Sequence, residues 1–326
     1  MSPTLGIETS CDETAAAVVD DDGRILSNVV SSQQRLHAPY HGVVPELASR
    51  VHADRILPVI RRAVRGIPPS SLRLVAYTAR PGLKGALLVG RTAAETFAWI
   101  HRLPVIEVDH LWGHVHSVLL RALGAPPFPF VCLIASGGHT ELSVVRSPTE
   151  RTVTGVTRDD AVGECFDKVA RMLGLPYPGG PAIERRAARG DPAAVSFTRP
   201  YLLDSGDFSF SGLKTAVLRY VERHHGRHTA PWVNDVCASF QAAVADTLVE
   251  KTFHEAARRR LRTVAVCGGV SANGYLRSRF ISAGKRRGCA VYFPDAGMST
   301  DNAAMIASAG AAFYRIAARR NRVLTG

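Results

Sequence analysis

The chain is expected to fold as an α/β protein of two lobes with related topology, and three features of its sequence carry that expectation. The opening residues read strand, turn, strand: LGIET, then SCDE, then TAAAVVD, with GRILSNVV following. The same grammar returns in FVCLIA, SGGH and TELSVVRS, a weak internal repeat in which each lobe starts with a β-hairpin whose tight polar turn faces a common cleft. Finally, 326 residues of which 46% are hydrophobic and 21% charged are enough for two packed cores without covalent staples.

The remaining elements follow in order. SRVHADRILPVIRRAVRG and KGALLVGRTAAETFAWIHRL have helical periodicity, and LRLVAYTA between them is a short apolar strand. The loop GAPPFP, residues 124–129, is the local signal for a lobe boundary. The lobes are assigned to residues 1–108 and 109–302, with a C-terminal helix at about 303–326 packing back on the first. PWVNDVCASFQAAVADTLVEKTFHEAARRR is a long helix, RTVAVCGGVSANGYLRSRF reads strand, glycine turn, helix, and CAVYFP is a further strand. The final helix opens with Thr300 or Asp301 as N-cap and carries Arg319, Arg320 and Arg322 at its C-terminal end, as the helix dipole prefers.

Six cysteines, Cys11, Cys132, Cys165, Cys237, Cys267 and Cys289, are scattered without a CxxC pair, which fits reduced thiols and speaks against a zinc ribbon or disulfide framework. The N-terminus turns polar too early for a secretory segment, and no run of about 18 apolar residues offers a membrane span. A soluble cytoplasmic protein without membrane attachment is expected. The formal net charge of +12 fits a polyanionic partner as well as it fits a solvated surface. Its clusters are Arg61–Arg62, Arg258–Arg260, Lys285–Arg287 and the C-terminal arginines.

Three glycine turns follow apolar strands: SGGHT at 136–140, YPGGPAIE at 177–184 and CGGVSAN at 267–273. Glycines there let backbone N–H groups approach phosphate or carboxylate oxygens, so the set points to nucleotide binding. Neither GxxxxGK[ST] nor a convincing GxGxxG is present, which argues against a P-loop or Rossmann site. In DHLWGHVH, His110 and His114 lie about 40° apart around a helix and can share one metal, whereas His116 points away. Leu111 stands where a zinc protease would need glutamate. A third ligand is best sought in MSTDNAAM, where Asp301 is equally suited to cap a helix.

GIETSCDETAAAVV, HGVVPELASRVH, PGLKGALLVGRTAAE, DHLWGH, SGGHTEL, GECFDKVARMLGLPYPGGPAIE, FSFSGLKTAV, CGGVSANGYLR and STDNAAMIA, in this order from about residue 5 to 310, resemble the successive signatures of the TsaD family. These are the tRNA adenosine threonylcarbamoyltransferases, formerly classed as O-sialoglycoprotein endopeptidases. The resemblance implies an actin-like, Hsp70-like, sugar-kinase-like (ASKHA) fold of two duplicated lobes with a nucleotide cleft. It implies transfer of threonylcarbamoyl from threonylcarbamoyl-AMP to N6 of the adenosine next to the anticodon in tRNAs reading ANN codons.

By the same resemblance, His110, His114 and Asp301 hold one divalent metal, Fe2+ or alternatively Zn2+, and an ATP- or ADP-like nucleotide can occupy the cleft. Ile134, Ala135, Ser136, Gly137 and Gly138 match the substrate-contacting turn, and Asp167, Gly180, Glu184 and Asn273 the adenylate-binding positions. Carboxylates at 167 and 184 can accept from ribose hydroxyls, although Asp167 can also pair with Lys168 and Glu184 can serve as a first-turn helix carboxylate. Asp12 and Glu13 are candidates for orienting the nucleophile or relaying its proton. Implied partners are tRNA, TsaB-like and TsaE-like proteins and a second protomer, identical or paralogous.

Three positions depart from the family pattern. Arg80-Pro81-Gly82-Leu83 stands where Gly-Pro-Gly-Leu is usual, Trp112 where Glu or Ala is usual, and His41-Gly42-Val43-Val44 where Gly-Gly-Val-Val is usual. An arginine cannot copy a glycine's positive φ cheaply, so the turn at 80 is expected to rearrange if that conformation is needed. Trp112, about 200° from His110 around the helix, is expected to pack between lobes or on a partner. The rival readings are an O-carbamoyltransferase acting on a small-molecule hydroxyl, which usually carries an appended adenylate-forming domain, and a non-catalytic TsaB-like scaffold, whose ligand positions would be expected to decay.

Overall fold

A computed structural model describes residues 3–120, 124–200, 205–224 and 229–324, with side chains through residue 318. In chain order, strands β1 (Thr4–Glu8), β2 (Glu13–Val19) and β3 (Ile25–Ser32) are followed by the short helix α1 (Gln34–His37) and by α2 (Pro45–Ala63). Next come β4 (Leu74–Arg80), α3 (Lys84–His101), β5 (Val105–Asp109) and α4 (His110–Leu119). A second series runs β6 (Phe130–Ala135), β7 (Thr140–Ser147), β8 (Glu150–Val156), α5 (Val162–Met172), α6 (Gly179–Ala187), α7 (Ser211–Arg223) and α8 (Ala230–Arg258). It continues through β9 (Thr263–Cys267), α9 (Gly274–Arg287) and β10 (Ala290–Tyr292), and α10 (Ala303–Leu324) closes the chain.

The elements form two compact units, residues 1–125 with 301–326, and 126–300. The first unit's sheet has strand order β3-β2-β1-β4-β5 and the second's β10-β9-β6-β7-β8. In each, a three-stranded antiparallel meander (β1–β3, β6–β8) is extended in parallel from its first strand by two later strands. The repeated hairpin grammar is thus a repeated topology. The division falls at 125/126, inside the GAPPFP loop, and corrects the expected 108/109 boundary: α4 packs against α10 and belongs to the first unit. Side chains expected to matter at Arg319, Arg320 and Arg322 lie outside the described residues.

Alternation along the strands of the first unit sorts their side chains to two faces. Leu5, Ile7, Ala16, Val18, Val75 and Tyr77 pack with Ile56, Val59 and Ile60 of α2 and Ala94 and Ala98 of α3. Leu74, Ala76 and Val108 on the other face meet Met305, Ile306 and Ala309 of α10. Gly6 is required here, because a Cβ would sit 2.2 Å from the Ala303 carbonyl oxygen and 2.6 Å from the Ala307 nitrogen. Strand β1 therefore lies directly against the first turns of α10. In the second unit, α8 is buried nearly all round, as a helix without a polar face must be.

The β8–α5 loop is held by charge. Asp160 takes Lys168 at 2.7 Å and also pairs with Lys214. Burial penalises its carboxylate, but the two ammonium groups outweigh this and hold Asp160 below the ordinary aspartate range. A carboxyl whose folded pKa is depressed stabilises above its unfolded value of about 4 and loses that contribution as pH falls through the folded value. Asp160→Asn is expected to cost about 2 kcal/mol at pH 7, and the difference from the parent, read from urea midpoints, shrinks below about pH 4.

Candidate functional site

In both units the parallel strands end at the candidate residues, the edge where open α/β sheets bind ligands. In the first unit, β5 runs into α4 at Asp109, whose carboxylate accepts from the Leu111 N–H at 2.9 Å and so caps the helix. This sets His110 and His114 on one face, their rings 4.6 Å apart. His116 turns away to Ser308 Oγ at 2.9 Å. Asp301 reaches the pair from the segment before α10, with Oδ1 3.5 Å from His110 Nε2 and 3.4 Å from His114 Nε2. Asp301 does not cap α10, nor does Thr300: Asn302 Oδ1 accepts from the Met305 N–H at 3.2 Å. That leaves Asp301 for the histidines.

A residue that sequence reasoning missed completes the arrangement. Glu8, fully buried at the end of β1, accepts from His110 Nδ1 at 3.0 Å, Thr78 Oγ1 at 2.6 Å and the Ser10 N–H at 2.5 Å. Burial works against the Glu8 carboxylate, yet His110 and these donors pull its pKa below the ordinary value. The ionised Glu8 makes Nδ1 a donor, so Nε2 is the nitrogen turned to Asp301, and it is the one that would ligate once a cation displaces its proton. Burial also penalises the His110 cation, but Asp301 and Glu8 outweigh it and hold the imidazole up at about 9. Burial pushes Asp301 up to about 6 against the pull of His110.

The donor set fits a divalent cation. One ligand atom from each of His110, His114 and Asp301 lies within 4.8 Å of the others. The 3.4–3.5 Å nitrogen–oxygen separations are those of ligands about 2.1 Å from one ion at a tetrahedral angle. The Glu8–His110 bond is the carboxylate–histidine support that orients metal-bound imidazoles. Glu8→Gln is accordingly expected to weaken metal affinity about 10- to 100-fold, measured by competition with a chromogenic chelator, while the fold survives.

Asp12 ends the turn between β1 and β2 and Glu13 opens β2, and they are not a solvated acidic pair. Burial raises the Asp12 carboxyl, and it raises Glu13 to about 8 although Ser32 Oγ donates to Glu13 Oε1 at 2.8 Å. The turn is pinned by His52, whose Nδ1 meets Thr14 Oγ1 at 2.8 Å and whose Nε2 meets the Cys11 carbonyl at 2.9 Å.

In the second unit, Ile134 and Ala135 are wholly buried in β6, while Gly137 and Gly138 are exposed with open space where a Cβ would point. The Ser136 N–H donates to the His139 carbonyl at 2.9 Å to close the turn. Gly268, at φ +86°, is required because its Cβ would lie 2.5 Å from the Ala135 oxygen, so the SGG and CGG turns sit side by side. Asp167 Oδ1 accepts from the Gly179 N–H at 2.7 Å, and Glu184 Oε1 accepts from the Gly274 N–H at 2.7 Å. Asn273 caps α9 through Leu276 N at 2.8 Å and donates to Gln241 Oε1 at 2.8 Å. Gly180 has open space beside it. Lys168 is taken by Asp160 and Glu164, each at 2.7 Å.

The departures resolve unevenly. Arg80 is the exposed last residue of β4, without positive φ, its Nε 3.8 Å from Asp109 Oδ2. The left-handed residue is His41, at φ +53°. Trp112 packs edge-on against Phe313 of α10 at 5.4 Å, within the first unit.

Two α/β units of one topology define the actin-like, Hsp70-like, sugar-kinase-like class. Among solved structures, full-length HypF in its phosphate- and nucleotide-bound form is similar at TM-score 0.64 and 13% identity, covering 97% of this chain and 46% of that one. Component A of Acidaminococcus fermentans (R)-2-hydroxyglutaryl-CoA dehydratase gives 0.57 at 13% identity, covering 98% of this chain and 100% of that one. Residues 24–308 match the family model TsaD, tRNA N6-adenosine threonylcarbamoyltransferase, and the chain belongs to that family. Relatives bearing that name include those of Sorangium cellulosum, 50% identical over 94% of this chain and 90% of its own, and Moorella thermoacetica, 49% identical over 95% and 91%. Among the described residues, no helix is long and apolar enough to cross a membrane.

Proposed function

We propose that the chain transfers the threonylcarbamoyl group of threonylcarbamoyl-AMP to N6 of the adenosine next to the anticodon in tRNAs reading ANN codons. Family membership supports the reaction, and the convergence of His110, His114 and Asp301 is the observation that carries its metal-assisted form. The N6 nitrogen forms the new N–C bond at the carbamoyl carbon, the bond from that carbon to the phosphate oxygen breaks, AMP departs, and N6 gives up a proton. A cation held by His110, His114 and Asp301, Fe2+ in our assignment with Zn2+ the alternative, would stabilise charge developing on the carbonyl oxygen.

Glu8 keeps His110 in the ligating tautomer. Asp12 and Glu13 are assigned to orienting N6 and taking its proton; a carboxyl raised to about 8, as Glu13 is, is a better acceptor near neutrality than an ordinary glutamate. Gly137, Gly138 and Gly180 leave room for the donor's approach, Asp167 holds the Gly179 amide beside Gly180, and Asp167, Gly180, Glu184 and Asn273 are assigned to the adenylate. The setting proposed is cytoplasmic, with TsaB-like and TsaE-like proteins as partners. The test is incubation with threonylcarbamoyl-AMP and unmodified tRNA, with and without those partners, followed by nucleoside mass spectrometry. Threonylcarbamoyladenosine is expected. Unmodified adenosine in every arm, with carbamoylation of a small hydroxyl compound instead, would favour the O-carbamoyltransferase reading.

A further inference from the structure

The C-terminal ends of α8 and α9 come together in the second unit, and both are strongly basic. Arg258, Arg259, Arg260, Arg262, Lys285, Arg286 and Arg287 are all exposed there. Helix dipoles favour cations at such ends, and carboxylates account for some of them. Glu255 takes Arg258 and Arg259, at 2.7 and 2.9 Å, and Glu250 takes Arg287 at 2.7 Å. The other four have no carboxylate partner among the described residues. Among the described residues, the Arg286 guanidinium donates only to Ser282 Oγ, at 2.8 Å, and the Arg262 guanidinium only to the Gly288 carbonyl, at 3.5 Å.

Between the helix ends lies a groove of about 750 Å³ whose lining includes Glu250, Phe253, His254, Arg260, Arg262 and Arg287. Arg287 stacks on Phe253, its guanidinium carbon 5.0 Å from the ring centroid, and is held there with Glu250. The patch is separate from the candidate donor residues: Asn273 caps the opposite end of α9, whose 14 residues span about 21 Å.

We propose that this paired helix end is a second contact for the tRNA, gripping backbone phosphates away from the adenosine being modified. The proposal rests on the tRNA reading above and adds a surface to it. Four exposed cations without carboxylate partners among the described residues, Arg260 and Arg262 lining the groove and Lys285 and Arg286 in the last turn of α9, complement a polyphosphate chain and release its counterions on contact. They carry no base-reading geometry, so the contact positions the RNA without selecting its sequence.

The test is tRNA binding by the full chain, followed by fluorescence anisotropy as a function of salt. The variant Arg260→Gln/Arg262→Gln/Lys285→Gln/Arg286→Gln is expected to bind about tenfold or more weakly, with the slope of log affinity against log salt reduced by about 3. Its melting temperature and its affinity for threonylcarbamoyl-AMP should match the parent. Arg260→Lys/Arg262→Lys/Arg286→Lys, which keeps the charge, should retain most of the affinity. A parent that binds tRNA and a Gln variant with the same affinity and slope would overturn the proposal alone. So would loss of binding to anionic lipid vesicles in the Gln variant with tRNA affinity unchanged. A parent with no affinity for tRNA would overturn both this proposal and the function it rests on.

Discussion

Asp301→Ala is expected to leave the fold intact, strip the protein of its divalent cation and lower threonylcarbamoyl transfer by about 10³-fold. The separation of these effects comes from local structure. Asn302, not Asp301, caps α10, so removing the Asp301 carboxylate costs the helix none of its hydrogen bonds. What disappears is the one oxygen that both Nε2 atoms face, at 3.4 and 3.5 Å. Metal content by inductively coupled plasma mass spectrometry and transfer by nucleoside analysis should fall together while the circular dichroism melt stays put. Asn302→Ala should behave in the opposite sense, lowering stability by about 1 kcal/mol through the lost cap. If Asp301→Ala retains metal and activity, the carboxylate is not a ligand.

Gly6→Ala is expected to destabilise the first unit by about 3 kcal/mol and to weaken metal binding with it, although Gly6 touches no ligand. The added methyl would meet backbone atoms of α10, at Ala303 and Ala307, which cannot rotate aside. Either β1 or α10 must give way. Strand β1 ends in Glu8, and α10 begins just after Asp301, so either shift moves a group that His110 depends on. Urea unfolding and chelator competition on one preparation would reveal the coupling. A stable Gly6→Ala protein with parental metal affinity would mean that the packing of α10 on β1 does not set the site.

Much of this organisation is legible in the sequence. Hairpins announce themselves through short apolar runs around tight polar turns, α2 and α3 through helical spacing, and α8 through its length. The i, i+4 histidines fall on one helix face for the same local reason. What local patterns cannot carry is convergence. Glu8 stands in the quoted GIETS, but its bond to His110, 102 positions later, depends on β1 lying near β5 across β4. An ionisable residue closing an otherwise apolar strand was the available signal. At the start of α10, Thr300, Asp301 and Asn302 are all competent caps, and only packing decides that Asn302 takes the role. The lobe boundary was ambiguous for a similar reason, because α4 is joined to the first unit by contacts with a helix near the opposite end of the chain. The positive φ at His41 and its absence at Arg80 were also invisible to composition, since both replace glycines of the family pattern and only the backbone path distinguishes them.

The metal-assisted reading stands on His110, His114 and Asp301 sharing one cation. Anomalous diffraction at the absorption edge of iron, from crystals of the chain loaded with Fe2+, tests it most directly. A single peak bounded by His110 Nε2, His114 Nε2 and the Asp301 carboxylate is the predicted result. No peak at that position, or iron bound only elsewhere, for instance at the cysteines, would contradict it.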